Sequence, residues 1–171
     1  MVQSAPAGPS LWGGGSAERE AGNVPTVEVR REIDASPEAI WRVVLGYESW
    51  PEWSPLFQLL RPEDPAQGLN GEWTLNGLIG RIPYTGRFRQ TTHQPLETFA
   101  FASLRVSAPY DFIGQTVKLE RAPTPTLTWR IDYTMSGGPG GWLIDRLLIR
   151  PGATTTVERQ QAALWAILAS T

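Results

Sequence analysis

Residues Ile33 to Pro55 read I-D-A-S-P-E-A-I-W-R-V-V-L-G-Y-E-S-W-P-E-W-S-P. The order is the end of a strand, a capped helix, and a turn rich in Trp and Pro. Ser36 is placed to cap the helix, because its side-chain oxygen can take a backbone N–H of the first turn. Pro37 suits the first helical position, where a missing N–H costs nothing. Ile40, Val43, Val44 and Tyr47 recur at i, i+3, i+4 and i+7, an apolar stripe on one face. Gly46 is expected to end the helix in the left-handed conformation. Pro51 and Pro55 bias Trp50 and Ser54 away from helical geometry. Trp41, Trp50 and Trp53 are expected to pack in the core or over one end of a sheet.

Outward from this stretch, Val24 to Asp34 reads as a strand, with Val27, Val29 and Ile33 in alternation. From Gly71 the chain becomes a run of strands separated by turn signals. Trp73, Leu75 and Ile79 share a face, then Ile82, Tyr84 and Phe88; Phe99 and Phe101 follow after Pro95, and Phe112 to Arg121 comes next. Leu127 to Ser136 alternates most cleanly, with Leu127, Trp129, Ile131, Tyr133 and Met135 on one face. The breaker run Gly137-Gly-Pro-Gly-Gly141 then gives way to a helical period. Trp142 to Arg150 and Thr154 to Ala169 predict two helical pieces, or one helix kinked at Pro151-Gly152. Leu143, Leu147, Val157, Leu164 and Leu168 are its expected apolar seam. The fold class is α+β: about seven antiparallel strands, two short helices after the first, and a long C-terminal helix.

The opening motif, the hairpin sequence G-R-F-R-Q-T-T-H-Q-P-L-E-T-F-A-F (Gly86 to Phe101) and the Gly-rich entry to the last helix occur in one order. Together they resemble the polyketide cyclase/dehydrase and lipid-transport family, whose members have the START-like, Bet v 1-like helix-grip fold. The resemblance spans roughly residues 24 to 170. It implies a curved sheet wrapped around the long helix, with a cavity for a hydrophobic small molecule between them. In the aromatase/cyclase branch a catalytic arginine stands near the end of the corresponding strand, with a serine two residues earlier. This chain offers His93 and Thr91 there, and Phe57 where that branch carries a tyrosine.

Composition narrows the chemistry. Net charge is −2 with 19% charged residues, so no basic field points to nucleic acid or an anionic membrane. Cys is absent and His occurs once, which argues against thiol chemistry and a His-based metal site. No phosphate-cradling or dinucleotide motif is present, so the expectation is an activity with no cofactor and no metal. Of the 15 basic residues only Lys118 is Lys, a mark of GC-rich coding that fits secondary metabolism. Met1 to Asn23 is rich in Ala, Gly, Pro and Ser. It has no secretory pattern and reads as a flexible tail, with Leu11 and Trp12 able to dock over a pocket mouth. The domain is expected from residue 24 onward, in the cytoplasm, without integral membrane association, and possibly as a homodimer.

A pocket of this kind is apolar with a few placed polar groups. His93 is a candidate base, since histidine is the residue type that changes charge near neutral pH. Tyr84 and Tyr133 share parity with apolar neighbours, so their hydroxyls are candidates to hold a ligand carbonyl. These three are the expected catalytic residues. Trp73, Phe88, Thr91, Phe101, Tyr110, Asp111, Trp129 and Phe57 are the expected substrate contacts, with Asn76, Gln115 and Gln160 as further hydrogen-bonding candidates. Arg87, Arg89 and Arg105 are ambiguous. Alternation from Phe88 turns Arg87 and Arg89 outward, whereas the resemblance through Thr91 turns that parity inward. A bulge between Phe88 and Thr91 would reconcile the two. The leading functional expectation is ring closure on a polyketide-derived substrate, with or without loss of water. The alternative is a carrier of a lipid, isoprenoid or pigment. A filled core beside a broad exposed apolar patch would instead mark a protein-interaction module.

Overall fold

A computed structural model describes residues 24–121 and 123–170. The tail with Leu11 and Trp12 lies outside the described residues. Seven strands form one antiparallel sheet: β1 (Thr26–Glu32), β2 (Phe57–Pro62), β3 (Glu72–Ile79), β4 (Ile82–Gln94), β5 (Thr98–Val106), β6 (Tyr110–Glu120) and β7 (Thr126–Met135). Their spatial order is β1-β7-β6-β5-β4-β3-β2. Consecutive strands from β2 to β7 are neighbours, so only the link from β1 to β2 must travel from one edge to the other. That link is the opening motif, folded as α1 (Pro37–Leu45), a 3-10 turn and α2 (Trp50–Trp53).

The capping expectation holds, since Ser36 Oγ accepts from the Ala39 N–H at 3.2 Å and Pro37 opens α1. Gly46 ends the helix, but at φ −74°, not in the left-handed region. A Cβ there would stand 3.1 Å from the Arg42 carbonyl, a tight contact. Trp50 is helical in spite of Pro51, because its indole is fully buried. It stacks on Phe57 with ring centroids 4.6 Å apart and donates its N–H to the Val44 carbonyl at 3.0 Å. Tertiary packing here overrides the local bias of a residue before proline. β2 has no counterpart among the sequence segments, since F-Q-L-L-R-P buries only Phe57 outright and shows no alternation.

The C-terminal helical region runs as α3 (Gly138–Ile144), a π turn over Asp145–Ile149, and α4 (Arg150–Ala169). Pro151 does not kink it, because it lies in the first turn of α4 where no N–H is needed. The irregularity sits one turn earlier, in the π turn. The expected seam also needs correction. Leu143 and Leu147 are exposed, and Asp145 and Ile149 face inward instead. Along α4 the buried stripe is Ala153, Thr156, Val157, Gln160, Gln161 and Leu164. Three of its six members are polar, which is why the pattern hides it from a purely apolar reading. Gln161 staples the helix to the sheet by donating to the carbonyls of Val29 (2.8 Å) and Leu127 (3.1 Å).

The start of α4 also touches the β3–β4 turn glycine to glycine. A Cβ on Gly152 would stand 2.9 Å from the Gly80 Cα, and Gly80 has φ +65°. Gly152→Ala is expected to force the helix off the turn and to cost about 1–3 kcal/mol, as overpacking does. Chemical denaturation of the variant checks this. An unchanged midpoint would mean that the contact is not close.

Candidate active site

The interior face of the sheet is set by strand alternation and by register shifts, two of them between β4 and β5, at Arg87/Phe88 and at Gln90/Thr92. Along β4, Tyr84, Gly86 and Phe88 point inward and are buried, while Arg87 and Arg89 point out. Both arginines pair with Glu72 across β3, Arg87 at 2.6 Å. The register between β4 and β5 then slips between Gln90 and Thr92. Thr91 is the extra residue, and beyond it the parity reverses, so that His93 stands opposite Phe99 on the interior side. The expected bulge therefore exists about one residue further on, with Arg87 and Arg89 outside and His93 turned back. Arg105 is exposed.

Six of the expected substrate contacts, Phe57, Trp73, Phe88, Phe101, Tyr110 and Trp129, come together in the core, each at most 2% exposed. Phe101 is their hub, with ring centroids 5.7 Å from Trp73, 5.9 Å from Phe88 and 6.3 Å from Phe57. Thr91 and Asp111 are not with them. Thr91 is exposed on the bulge, and Asp111 is exposed and accepts from the Ser136 hydroxyl at 2.5 Å. His93 is exposed at the far end of β4. Nine residues of strand separate it from Tyr84, roughly 30 Å at the usual rise. His93 and Tyr84 do not meet at one reacting atom.

Three phenols line the other end. Tyr84 and Tyr110 have ring centroids 6.2 Å apart, and Tyr110 and Tyr133 6.1 Å. Burial is the largest cause pushing each hydroxyl well above its ordinary value. They are neutral donors at physiological pH, not bases. The Tyr133 hydroxyl donates to Asp145 Oδ1, whose other oxygen accepts from Arg150 at 3.4 Å. Tyr110 reaches the Ile79 carbonyl at 3.5 Å, a bond at the limit of length. Tyr84 has no hydrogen-bond partner. The Gln115 NH2 lies close enough to the Tyr84 oxygen to oppose its rise, although the two do not reach good hydrogen-bond geometry.

Two amides join Tyr84, and the buried indole N–H groups of Trp41 and Trp73 are unpaired as well; the orientation of the amides is fixed by chemistry. Gln115 Oε1 accepts from the Trp129 indole N–H at 3.0 Å. An indole only donates, so the Gln115 NH2 is the free end. Ser54 Oγ accepts from the backbone N–H groups of Leu56 and Phe57, so its own proton goes to Gln160 Oε1 at 2.5 Å. The free end of Gln160 is again its NH2. Tyr84 belongs to the same neighbourhood: a Cβ built on Gly77 would lie 2.7 Å from its hydroxyl and 2.2 Å from the Leu56 carbonyl. Unpaired acceptors lie elsewhere among the described residues. Asn76 borders an outer groove, Gln161 Oε1 is on the amide that staples α4, and Gln90 sits towards the His93 end. Asp145, Ser54 and Gln161 carry no motif that marks them in the sequence.

Trp73, Phe88, Trp129 and Tyr133 have no accessible surface, so no water-sized space adjoins them in this conformation. A groove of about 520 Å³ runs outside, between β1 and α4, past Val29, Arg31, Thr155 and Arg159. It meets none of the phenols. Among the described residues no cluster of His, Asp or Glu could hold a metal ion, and no helix is long and apolar enough to cross a membrane.

A seven-stranded antiparallel sheet closed by two short helices and a long C-terminal helix, with aromatic and polar side chains facing inward, defines a START-like helix-grip protein. The family model for polyketide cyclase/dehydrase and lipid transport matches residues 24–170, and the chain belongs to that family. Solved structures agree on the fold. A START superfamily protein from Mycobacterium smegmatis superposes with TM-score 0.69 at 16% identity, over 85% of this chain and 97% of that one. An aromatase/cyclase from a Streptomyces species gives TM-score 0.62 at 14% identity, over 86% and 92%. A major latex-like protein from Panax ginseng gives TM-score 0.63 at 11% identity, over 86% and 99%. No curated protein matches the chain significantly.

Proposed function

We propose that this protein takes a hydrophobic, carbonyl-bearing small molecule between sheet and α4, and closes a ring on it in the manner of a polyketide cyclase. One observation carries the reading: the hydroxyl of Tyr84 and the NH2 groups of Gln115 and Gln160 are buried and unpaired. Each unmet buried donor costs about 1–3 kcal/mol. A core built only for packing gains nothing from them, which weighs against a module with no ligand. A ligand that brings carbonyl oxygens recovers that cost. Its entry requires α4 and the sheet to part, since the side chains fill the interior in this conformation.

The chemistry asks little of the protein. Methylene groups between two ketones are acidic in their own right, so folding the chain until carbon or enol oxygen meets a second carbonyl supplies much of the acceleration. As that bond forms, negative charge grows on the carbonyl oxygen. In this reading the neutral Tyr84 phenol and the Gln115 amide donate to it. His93 stands too far along β4 to serve the same carbonyl. The carrier reading rests on a separate observation: Asp145 is the one carboxylate buried among the described residues, and it is already engaged by Tyr133 and Arg150.

Benzoylacetone, an apolar 1,3-diketone, is the probe. Gln115→Glu and Gln160→Glu keep an oxygen for Trp129 or Ser54 and replace the free NH2, with its two N–H donors, by a carboxyl oxygen. Each is expected to weaken benzoylacetone about tenfold, or 1.4 kcal/mol, while leaving butylbenzene unchanged. Equal losses for both ligands would mean that the amides do not face the ligand. Turnover of 1-phenylhexane-1,3,5-trione to its pyranone with loss of water, slowed by Tyr84→Phe, marks an enzyme. Binding without turnover marks a carrier.

A further inference from the structure

Along β1 the positions that share the parity of the core are Val27, Val29 and Arg31, and Ile33 follows just past the strand. Arg31 breaks an otherwise aliphatic stripe. It is tolerated because β1 is an edge strand, and the groove of about 520 Å³ between β1 and α4 leaves Arg31 exposed. An inward charge on an edge strand can serve only to prevent strand pairing, but that role needs nothing on the opposite wall. Here α4 sets a second exposed cation in the same groove, Arg159. Among the described residues neither arginine has an ion pair or a hydrogen bond. The third cation of the lining, Arg30, is taken by Glu120 at 2.6 Å. Glu158 is the one acid of the lining, and it too is unpaired among the described residues.

The rest of the lining adds a polar and an apolar requirement. Gln161 is 1% exposed, and its NH2 is spent on the carbonyls of Val29 and Leu127. Carbonyls only accept, so the free end of this amide is Oε1, which has no partner and calls for a donor. Val29 and Ala162 give the groove apolar surface. Trp165, one turn beyond Ala162 on the same face of α4, is 49% exposed. Two guanidinium groups less one carboxylate leave one positive charge, which a carboxylate monoanion balances and a doubly charged phosphate exceeds. The volume lies within the roughly 300–1,000 Å³ of small-molecule sites.

We propose that this groove is a second ligand site, apart from the interior, for a small aromatic carboxylate with a neighbouring N–H. The carboxylate sits between Arg31 and Arg159, the N–H serves Gln161 Oε1, and the ring lies over Ala162 towards Trp165. The site does not depend on what the interior binds. The experiment is calorimetric titration of the full chain with hippurate (N-benzoylglycine). Three analogues each remove one contact: hippuramide the charge, N-methylhippurate the N–H, and N-acetylglycine the ring. Hippurate is expected to bind, less tightly as salt rises, with hippuramide at least tenfold weaker and the other two at least threefold weaker. The double substitution Arg31→Gln/Arg159→Gln, confined to exposed positions, should weaken hippurate at least tenfold with the melting temperature unchanged. Saturating benzoylacetone should leave hippurate affinity as it is. The proposal is overturned if hippurate does not bind, if any of the three analogues binds as tightly, if the double substitution has no effect, or if benzoylacetone displaces hippurate.

Discussion

Stability is expected to fall steeply above about pH 10, by up to about 4 kcal/mol per pH unit. Tyr84, Tyr110 and Tyr133 are at most 2% exposed, and burial raises each phenol above its ordinary 10.0. Tyr110 adds to the rise of Tyr84, and Asp145 to that of the other two. The unfolded chain releases these protons near pH 10, whereas the folded chain keeps them. Above that pH the unfolded state therefore binds fewer protons, and the slope of stability against pH is negative. The stabilisation from neutral phenols is complete below the unfolded value and is lost as pH rises towards the folded values. Each phenol contributes up to about 1.4 kcal/mol per unit. Denaturant melts between about pH 8 and pH 11 measure the slope, and Tyr84→Phe should remove roughly a third of it. A flat profile over that range would mean that solvent reaches the phenols.

Trp50→Ala is expected to cost about 3–5 kcal/mol, the usual range for truncating a fully buried large aromatic. At roughly 2–4 °C per kcal/mol for a chain of this size, the melting temperature should drop by about 6–20 °C. Trp50 is in contact with Phe57 of β2 and with Phe99 and Phe101 of β5, at ring-centroid distances of 4.6, 6.4 and 6.2 Å. Its N–H closes on the Val44 carbonyl. One side chain thereby joins α1 and α2 to the sheet, and its removal leaves a cavity that rings on three sides cannot fill. Trp53→Ala, at a half-buried position in the same helix, should cost clearly less. Similar losses for the two variants would contradict the placement of Trp50 as the anchor.

The fold was legible because local and long-range signals agree in most elements. Ser36-Pro37 caps α1 as its residue types dictate, and the alternation of β7 matches its burial from Trp129 to Tyr133, although Thr126 and Thr128 on the other face are buried too. The failures share a cause, which is structure decided by partners remote in sequence. β2 is an edge strand whose one fully buried residue, Phe57, faces Trp50. In the π turn Asp145 faces inward and is bonded by Tyr133 and Arg150, while Leu143 and Leu147 face out. The bulge at Thr91 shifts the parity of His93 and is visible only in the β4–β5 register.

The site was legible to a similar depth. The aromatic lining and the inward Tyr84 and Tyr133 follow from strand parity. Which ends of Gln115 and Gln160 are free follows only from Trp129 and Ser54, and no spacing rule joins those pairs. Distance along β4 separates His93 from Tyr84, so a histidine base is not part of the proposed site.

Calorimetric titration of the unmodified protein with benzoylacetone and with butylbenzene tests the central claim most directly. The three buried donors predict that the diketone binds at least about tenfold more tightly than the hydrocarbon, equivalent to 1.4 kcal/mol or more. Equal affinities would show that the donors do not face the ligand, and no binding of either would show that the grip between sheet and α4 does not open to small molecules of this kind.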